Sequence, residues 1–282
     1  MRCKTHAKTS AGEDKGHYHS NCHCRIVAGK KDTCVEGYKP EEILKALGDK
    51  VTIVGLTPGK PMSFEEADHL RANPKYKYIY EAWVKFTKGE ITEETFKRIQ
   101  NNYAGYSVNC QTCVVANEAR RRGYNVRALP NNKKPDSPTY LLSRDTSLAY
   151  IDRETGKQPK YITYTGKGIQ DYRGKAIPTK SRFVMWLNSD GVVEENARYT
   201  IEMCWKSGGG HIICLDRTNE GLRLFDPQIN RRYTGESISN YFDSVKFFTT
   251  YKGNKISVAP KLLRVDNVDF NKKLVDKILE KA

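Results

Sequence analysis

The chain has 282 residues, 48 of them Lys or Arg against 33 Asp or Glu, for a formal charge of +15, and only 38% are hydrophobic. That length supports one large domain or two smaller ones with a real core. No run approaches the ~18 uninterrupted apolar residues of a spanning helix, and the opening MRCKTHAKTS lacks an apolar signal region, so the reading excludes an integral membrane protein, expects no membrane partner and disfavours export through a cleaved signal.

In chain order, the first 34 residues hold Cys3, Cys22, Cys24 and Cys34, half of the eight cysteines, together with four of the six histidines. A disulfide framework would leave those histidines unexplained. The spacings Cys3-x2-His6 and His19-x2-Cys22-x-Cys24 offer the ligand types of a structural zinc site. A segment this short and polar cannot fold by burial, and a metal would supply the missing free energy. The rival reading is a flexible basic tail. Cys3, His6, His19, Cys22 and Cys24 stand as candidate ligands, with no choice made among them. The run His19-Ser20-Asn21-Cys22-His23-Cys24-Arg25-Ile26 resembles the H-x-N-C-x-C ending of phage minor head (head-morphogenesis) proteins. That resemblance covers residues 1–30 and implies a phage virion setting, with the phage head or packaged DNA as partner of this basic segment.

Residues 31–60 read as a linker with one short helix, Pro40 to Leu47, and a domain is expected over 61–282. Ser63-Phe64-Glu65-Glu66 has the capping-box pattern, predicting a helix from Phe64 to Ala72, stopped by Asn73-Pro74. Further helices are predicted over Tyr76–Lys88, Glu93–Asn101 and Cys110–Arg122, then a strand over 124–129. Residues 131–180 read as long loops with short strands. Strands follow at Arg182–Asn188, Ala197–Lys206, His211–Asp216, Leu222–Phe225 and Leu262–Val265, with a short helix at Ile238–Phe242 and an amphipathic helix over Val268–Leu279. Helices first and an antiparallel sheet second make the class α+β.

The chemistry concentrates on one helix start and one hairpin. In Asn109-Cys110-Gln111-Thr112-Cys113, Asn109 is a favoured N-cap residue, which puts Cys110 in the first turn. The positive end of the helix dipole and free N–H groups there favour a thiolate, and the same N–H groups can hold an oxyanion. Cys113, one turn deeper, reads as a core cysteine. Residues 70–282 contain a single histidine, His211, after Gly208-Gly209-Gly210. A hairpin centred between Asn219 and Glu220 is expected to put His211 opposite Asp226, with His211, Ile213 and Leu215 sharing a face with Leu222, Leu224 and Asp226. Nucleophile, base and orienter are then Cys110, His211 and Asp226. Each has a bland rival: a buried cysteine, a strand-capping histidine, an Asp-Pro turn. The glycine triplet is read as room for a substrate beside the base.

The block Asn109-Cys110-Gln111-Thr112-Cys113 through Gly123 to Pro130 resembles the papain-fold toxin family, also described as glutamine-deamidase-like, found in bacterial polymorphic toxins and phage head proteins. Met62–Ala67 and Ala72–Tyr76 fit its lead-in. Gly209-Gly210-His211, Asp226-Pro227-Gln228 and Arg264–Asn267 fit its remainder. The resemblance spans about residues 55–270. It implies a papain-like fold, with a helical half carrying the cysteine and an antiparallel half carrying His and Asp. It maps the family's Cys, His and Asp onto Cys110, His211 and Asp226. Asn109, Gln111 and Gln228 are assigned to the substrate or oxyanion side. The expected activity is hydrolysis of carboxamides through a thioester, as a protein glutamine deamidase or a cysteine protease, with no cofactor for catalysis. A protein substrate in a target bacterial cell and an immunity protein are the implied partners, in the bacterial cytoplasm or after delivery. The alternative is a non-catalytic phage-head or nucleic-acid-binding structural protein.

Overall fold

The computed structural model describes residues 52–69 and 72–282. The zinc ligand candidates, the phage-head-like run and the Pro40–Leu47 helix lie outside these residues. Residues Ile53–Ala282 form one compact unit. Part of the expected linker is packed against it: Ile53 is fully buried, and the Gly59 N–H donates to the Gly123 carbonyl at 2.8 Å.

The N-terminal half is helical. Helix α1 (Phe64–His69) opens on a reciprocal box, with the Glu66 N–H donating to Ser63 Oγ and the Ser63 N–H to Glu66 Oε2. Helices α2 (Tyr76–Thr87) and α3 (Glu93–Asn102) follow, the latter capped by Thr92. Helix α4 (Cys110–Arg121) is buried along almost its whole length. It leads through a turn at Gly123 into strand β1 (Val126–Ala128).

Three expectations are overturned after this point. Inside the supposed loop region lies helix α5 (Pro138–Arg144), started by Ser137, whose hydroxyl accepts the Tyr140 N–H, with Pro at the first position. Strands β2 (Tyr150–Asp152), β3 (Ile169–Gln170) and β4 (Ala176–Ile177) follow. The predicted strand Arg182–Asn188 is instead helix α6 (Lys180–Leu187), because Thr179 caps it by accepting the Arg182 N–H. A short apolar run fits either state, and the cap decides. The predicted helix Val268–Leu279 is broken into strand β13 (Val268–Phe270), one turn α8 (Lys272–Val275) and strand β14 (Leu279–Lys281). Its ends are claimed by distant partners, β13 pairing with β2 and β14 with β1.

The main sheet is antiparallel and six-stranded. It contains β5 (Arg198–Trp205), β6 (Gly210–Thr218), β7 (Gly221–Asp226), β8 (Arg231–Thr234), β9 (Val245–Lys246) and β12 (Lys261–Arg264). The order is β12-β5-β6-β7-β8, with β9 against the end of β5. Helix α7 (Glu236–Tyr241) and a hairpin of β10 (Phe248–Tyr251) and β11 (Asn254–Ser257) complete the order. Alternation along β6 separates the core into two layers. Ile212 packs with Val114, Val115 and Ala119 of α4, whereas Ile213 and Leu215 pack with Phe183 and Leu187 of α6 and with Phe242. The sheet is thus covered by α4 on one face and by α6 and α7 on the other, and the architecture is α+β.

Candidate active site

Helix α4 delivers the cysteine. Its first internal hydrogen bond runs from the Cys113 N–H to the Asn109 carbonyl at 3.0 Å, so the N–H groups of Cys110, Gln111 and Thr112 precede it at the positive end of the helix. Asn109 occupies the N-cap position, but its side chain makes no capping bond, a correction to the simple capping expectation. Its amide is buried in a polar knot. Asn73 Nδ2 donates to Asn109 Oδ1 at 3.2 Å, to the Tyr106 carbonyl and to the Gln228 carbonyl, while Asn109 Nδ2 donates to the Leu129 carbonyl. Gln228 Nε2 also donates to Asn109 Oδ1, at 3.3 Å. Asn109 therefore ties the start of α4 to the end of β7, and its side chain is spent on that role.

The hairpin delivers the histidine and the acid. The turn is centred between Asn219 and Glu220 as expected, with Thr218 opposite Gly221 and Leu215 opposite Leu224. That register puts Asp226 level with Ile213, so His211 lies diagonally from the acid rather than directly opposite. The β6–β7 ladder ends at Cys214 and Phe225. Beyond it β6 continues against β5 and β7 against β8. At this fork the diagonal closes: His211 Nε2 lies 2.6 Å from Asp226 Oδ2, within the reach of diagonal neighbours on one face. The second carboxylate oxygen, Oδ1, accepts the Gln228 N–H at 3.0 Å.

With Nε2 engaged by Asp226, the imidazole also lies near enough to Cys110 for the thiol group to act on its titration. Burial disfavours the charged ring. The hydrogen bonds and negative charge of Asp226 and Cys110 outweigh that and push the His211 pKa up to about 10. Cys110 Sγ also lies 3.2 Å from Gln111 Oε1, as a donor. Trp205 stacks on the imidazole with ring centroids 5.5 Å apart, and Tyr241 packs edge-on against Trp205. These residues line a cleft of about 430 Å³ that also holds Ser107, Ser143, Gln228 and Tyr233. Apart from tyrosine phenols, its ionisable lining groups are Cys110, His211 and Asp226.

Cys113 is fully buried, and burial pushes its thiol well up, as it does for Cys214 on β6. Both are packing groups. The glycine triplet serves conformation more than space. Gly208 and Gly209 adopt φ of +100° and +78°, and an added Cβ at either would meet nothing within 4 Å. Sequence reasoning missed Trp205, Tyr233, Tyr241 and Asn73 as site components. Only Asn73 carried a signal, in the lead-in to the resemblance. Among the described residues no group of His, Cys, Asp or Glu could hold a metal ion, and no helix is long and apolar enough to cross a membrane.

Residues 108–231 match the model of the family described as papain fold toxin 1, glutamine deamidase. The matched stretch contains Cys110, His211 and Asp226. Neither a curated protein nor a solved structure matches the chain.

Proposed function

From that match as premise, we propose that the chain is a cysteine-dependent hydrolase that deamidates glutamine side chains of a polypeptide, acting as a toxin. The observation that carries this reading is the convergence of Cys110, His211 and Asp226 in a cleft whose other walls are neutral. Tryptophan, tyrosines, serines and glutamines suit an uncharged carboxamide better than a charged side chain.

Cys110 passes its proton to His211, and the thiolate attacks the carboxamide carbon. The oxyanion is held by N–H groups of the first turn of α4. Gln111, whose oxygen accepts from the resting thiol, turns its amide end toward the developing charge. As the C–N bond breaks, His211 returns its proton to the leaving nitrogen, releasing ammonia and leaving a thioester. His211 then deprotonates a water that attacks the thioester, giving the acid and the free thiol. Asp226 fixes the imidazole and stabilises its charged form throughout. Gln228 and Asn109 hold Asp226 and Cys110 in register. A protease would share this route until the leaving group, which would be a peptide amine.

Incubation of the protein with target-cell lysate, followed by proteomics, separates the two. Glutamine-to-glutamate conversion without new chain termini is expected, and Cys110→Ala abolishes it. New N-termini would establish a protease instead, and full activity in Cys110→Ala would sink the mechanism. As a toxin, the chain would act on a polypeptide inside a bacterial cell and be neutralised by an immunity protein. Expression should therefore arrest a bacterial host, with relief by Cys110→Ala.

A further inference from the structure

Away from the cleft, two short hairpins lie side by side: β3–β4, with its tip at 171–175, and β10–β11, with its tip at 252–253. Residues 160–180 and 245–260 together carry eight Lys or Arg and one carboxylate, Asp171. That carboxylate is buried and consumed. It accepts the backbone N–H groups of Arg173, Lys175 and Ser257 at 2.8 to 3.0 Å and thereby clamps one hairpin to the other. The Ser257 hydroxyl adds a bond to the Ala176 carbonyl. Asp171 Oδ2 also takes the Arg173 guanidinium at 3.0 Å, and Lys180 pairs with Asp243 at 2.6 Å, so the remaining cations leave this surface with a net positive charge.

Three aromatic rings stand out of it: Tyr172 is 64% exposed, Tyr251 59% and Phe248 43%. Exposed rings clustered on one surface mark a contact site more than a packing accident. Each has a cation over it: Arg173 over Tyr172 at 5.5 Å, Lys255 over Phe248 at 4.9 Å and Lys252 over Tyr251 at 5.6 Å. The register puts Phe248 opposite Ser257 and Thr250 opposite Lys255, so Phe248 and Lys255 share the side on which Ser257 meets the neighbouring hairpin. Tyr172 and Arg173 adjoin that side, with Arg173 donating to the Ser257 carbonyl at 3.4 Å. Tyr251, three residues from Phe248, belongs to the other side of the β10–β11 hairpin, and Lys252 sits at its tip.

We propose that this pair of hairpins is a binding surface for single-stranded nucleic acid, independent of the cleft chemistry. A repeated unit of exposed ring plus adjacent cation matches a repeated ligand unit of base plus phosphate. Stacking on the ring needs no base identity, and the cation meets the backbone. An acidic polypeptide would use the cations but leave the exposed rings without a matched partner. The chain links this surface to the cleft wall. Strand β9, which immediately precedes the β10–β11 hairpin, pairs with Cys204 and Trp205, and Trp205 stacks on His211. Bound nucleic acid would bring polypeptides that travel with it to the thiol.

The test uses the full chain carrying Cys110→Ala, so that its result does not depend on any activity. Fluorescence anisotropy with labelled 20-nucleotide oligothymidine and oligoadenine is compared with a glutamate-rich peptide of similar charge. Both oligonucleotides are expected to bind, more tightly than the peptide and with affinity falling steeply with salt. Arg173→Gln, Lys252→Gln and Lys255→Gln combined should weaken binding at least tenfold and flatten the dependence of log affinity on log salt by about 2. Tyr172→Ala with Phe248→Ala should weaken oligonucleotide binding tenfold while leaving that slope in place. All these positions are exposed, and unchanged circular dichroism and melting temperature confirm folding. Absence of oligonucleotide binding, equal binding by the variants, or tighter binding of the acidic peptide overturns the proposal.

Discussion

Asp226 works through both oxygens, one 2.6 Å from His211 Nε2 and one accepting the Gln228 N–H. The imidazole pKa is raised from 6.5 to about 10 chiefly against burial, by Asp226 and Cys110. A raised pKa means the charged pair stabilises the fold fully below about pH 6.5, and that contribution is lost as pH rises through about 10. In the proposed mechanism the same value sets the alkaline limb of activity, since His211 there holds a proton for the leaving nitrogen. Asp226→Asn should therefore move the alkaline limb of kcat/KM toward neutral pH as well as lowering the rate; a limb that stays near pH 10 would mean Asp226 does not control the imidazole. Tyr241 makes an opposite case. Its hydroxyl is buried with no hydrogen-bond partner among the described residues, a burden of about 1 kcal/mol or more. Tyr241→Phe should raise the urea midpoint by an amount equivalent to about 1 kcal/mol with kcat within a factor of about two. A large fall in kcat would show that the hydroxyl serves the substrate.

At the level of elements, α4 is anchored as well as buried. Glu118 makes a two-point contact with Arg198 of β5 at 2.8 Å for each bond, and Arg122 donates to it at 2.7 Å. Burial works against the carboxylate, but the two guanidiniums hold its pKa at about 2. A depressed pKa gives stability above about pH 4.5 that is lost as pH falls through about 2. Glu118→Ala strands two half-buried guanidiniums, so chemical denaturation should show a loss of about 3 kcal/mol; a change below about 1 kcal/mol would show that the pair only offsets its own desolvation. Much of this layer was legible beforehand. The α1 capping box, α2, α3, α4 and the central strands β5, β6 and β7 follow from caps and from period-2 alternation. What misled was tertiary or capping context: Thr179 turned an apolar run into α6, and the pairings of β13 and β14 broke an amphipathic pattern. At the site, Cys110, His211 and Asp226 could be named because residues 70–282 hold one histidine. Trp205 and Tyr241 could not, since only three-dimensional stacking identifies them.

For the molecule as a whole, one sheet separates two cores, and the candidate site sits at the fork where β6 and β7 part, at the margin of both. The charge of +15 is unevenly spent, with a cleft that carries no Lys or Arg and two hairpins of net positive charge elsewhere. The connection 206–209 joins Trp205 at the end of β5 to Gly210 and His211 at the start of β6. It turns on two left-handed glycines and is held by the Trp205 N–H donating to the Gly209 carbonyl and the Gly208 N–H to the Trp205 carbonyl, both at 3.1 Å, with one outside tie from the Lys206 N–H to the Ser244 carbonyl at 2.9 Å. The base and the ring stacked on it therefore hang from one exposed strip of backbone with little burial of its own, where local opening costs less than global unfolding. Heat should silence the protein before it melts it: residual activity is expected to fall several degrees below the calorimetric transition, with amide exchange at 206–210 faster than along the rest of β5 and β6. Coincident midpoints would show that the strip opens only with the whole sheet.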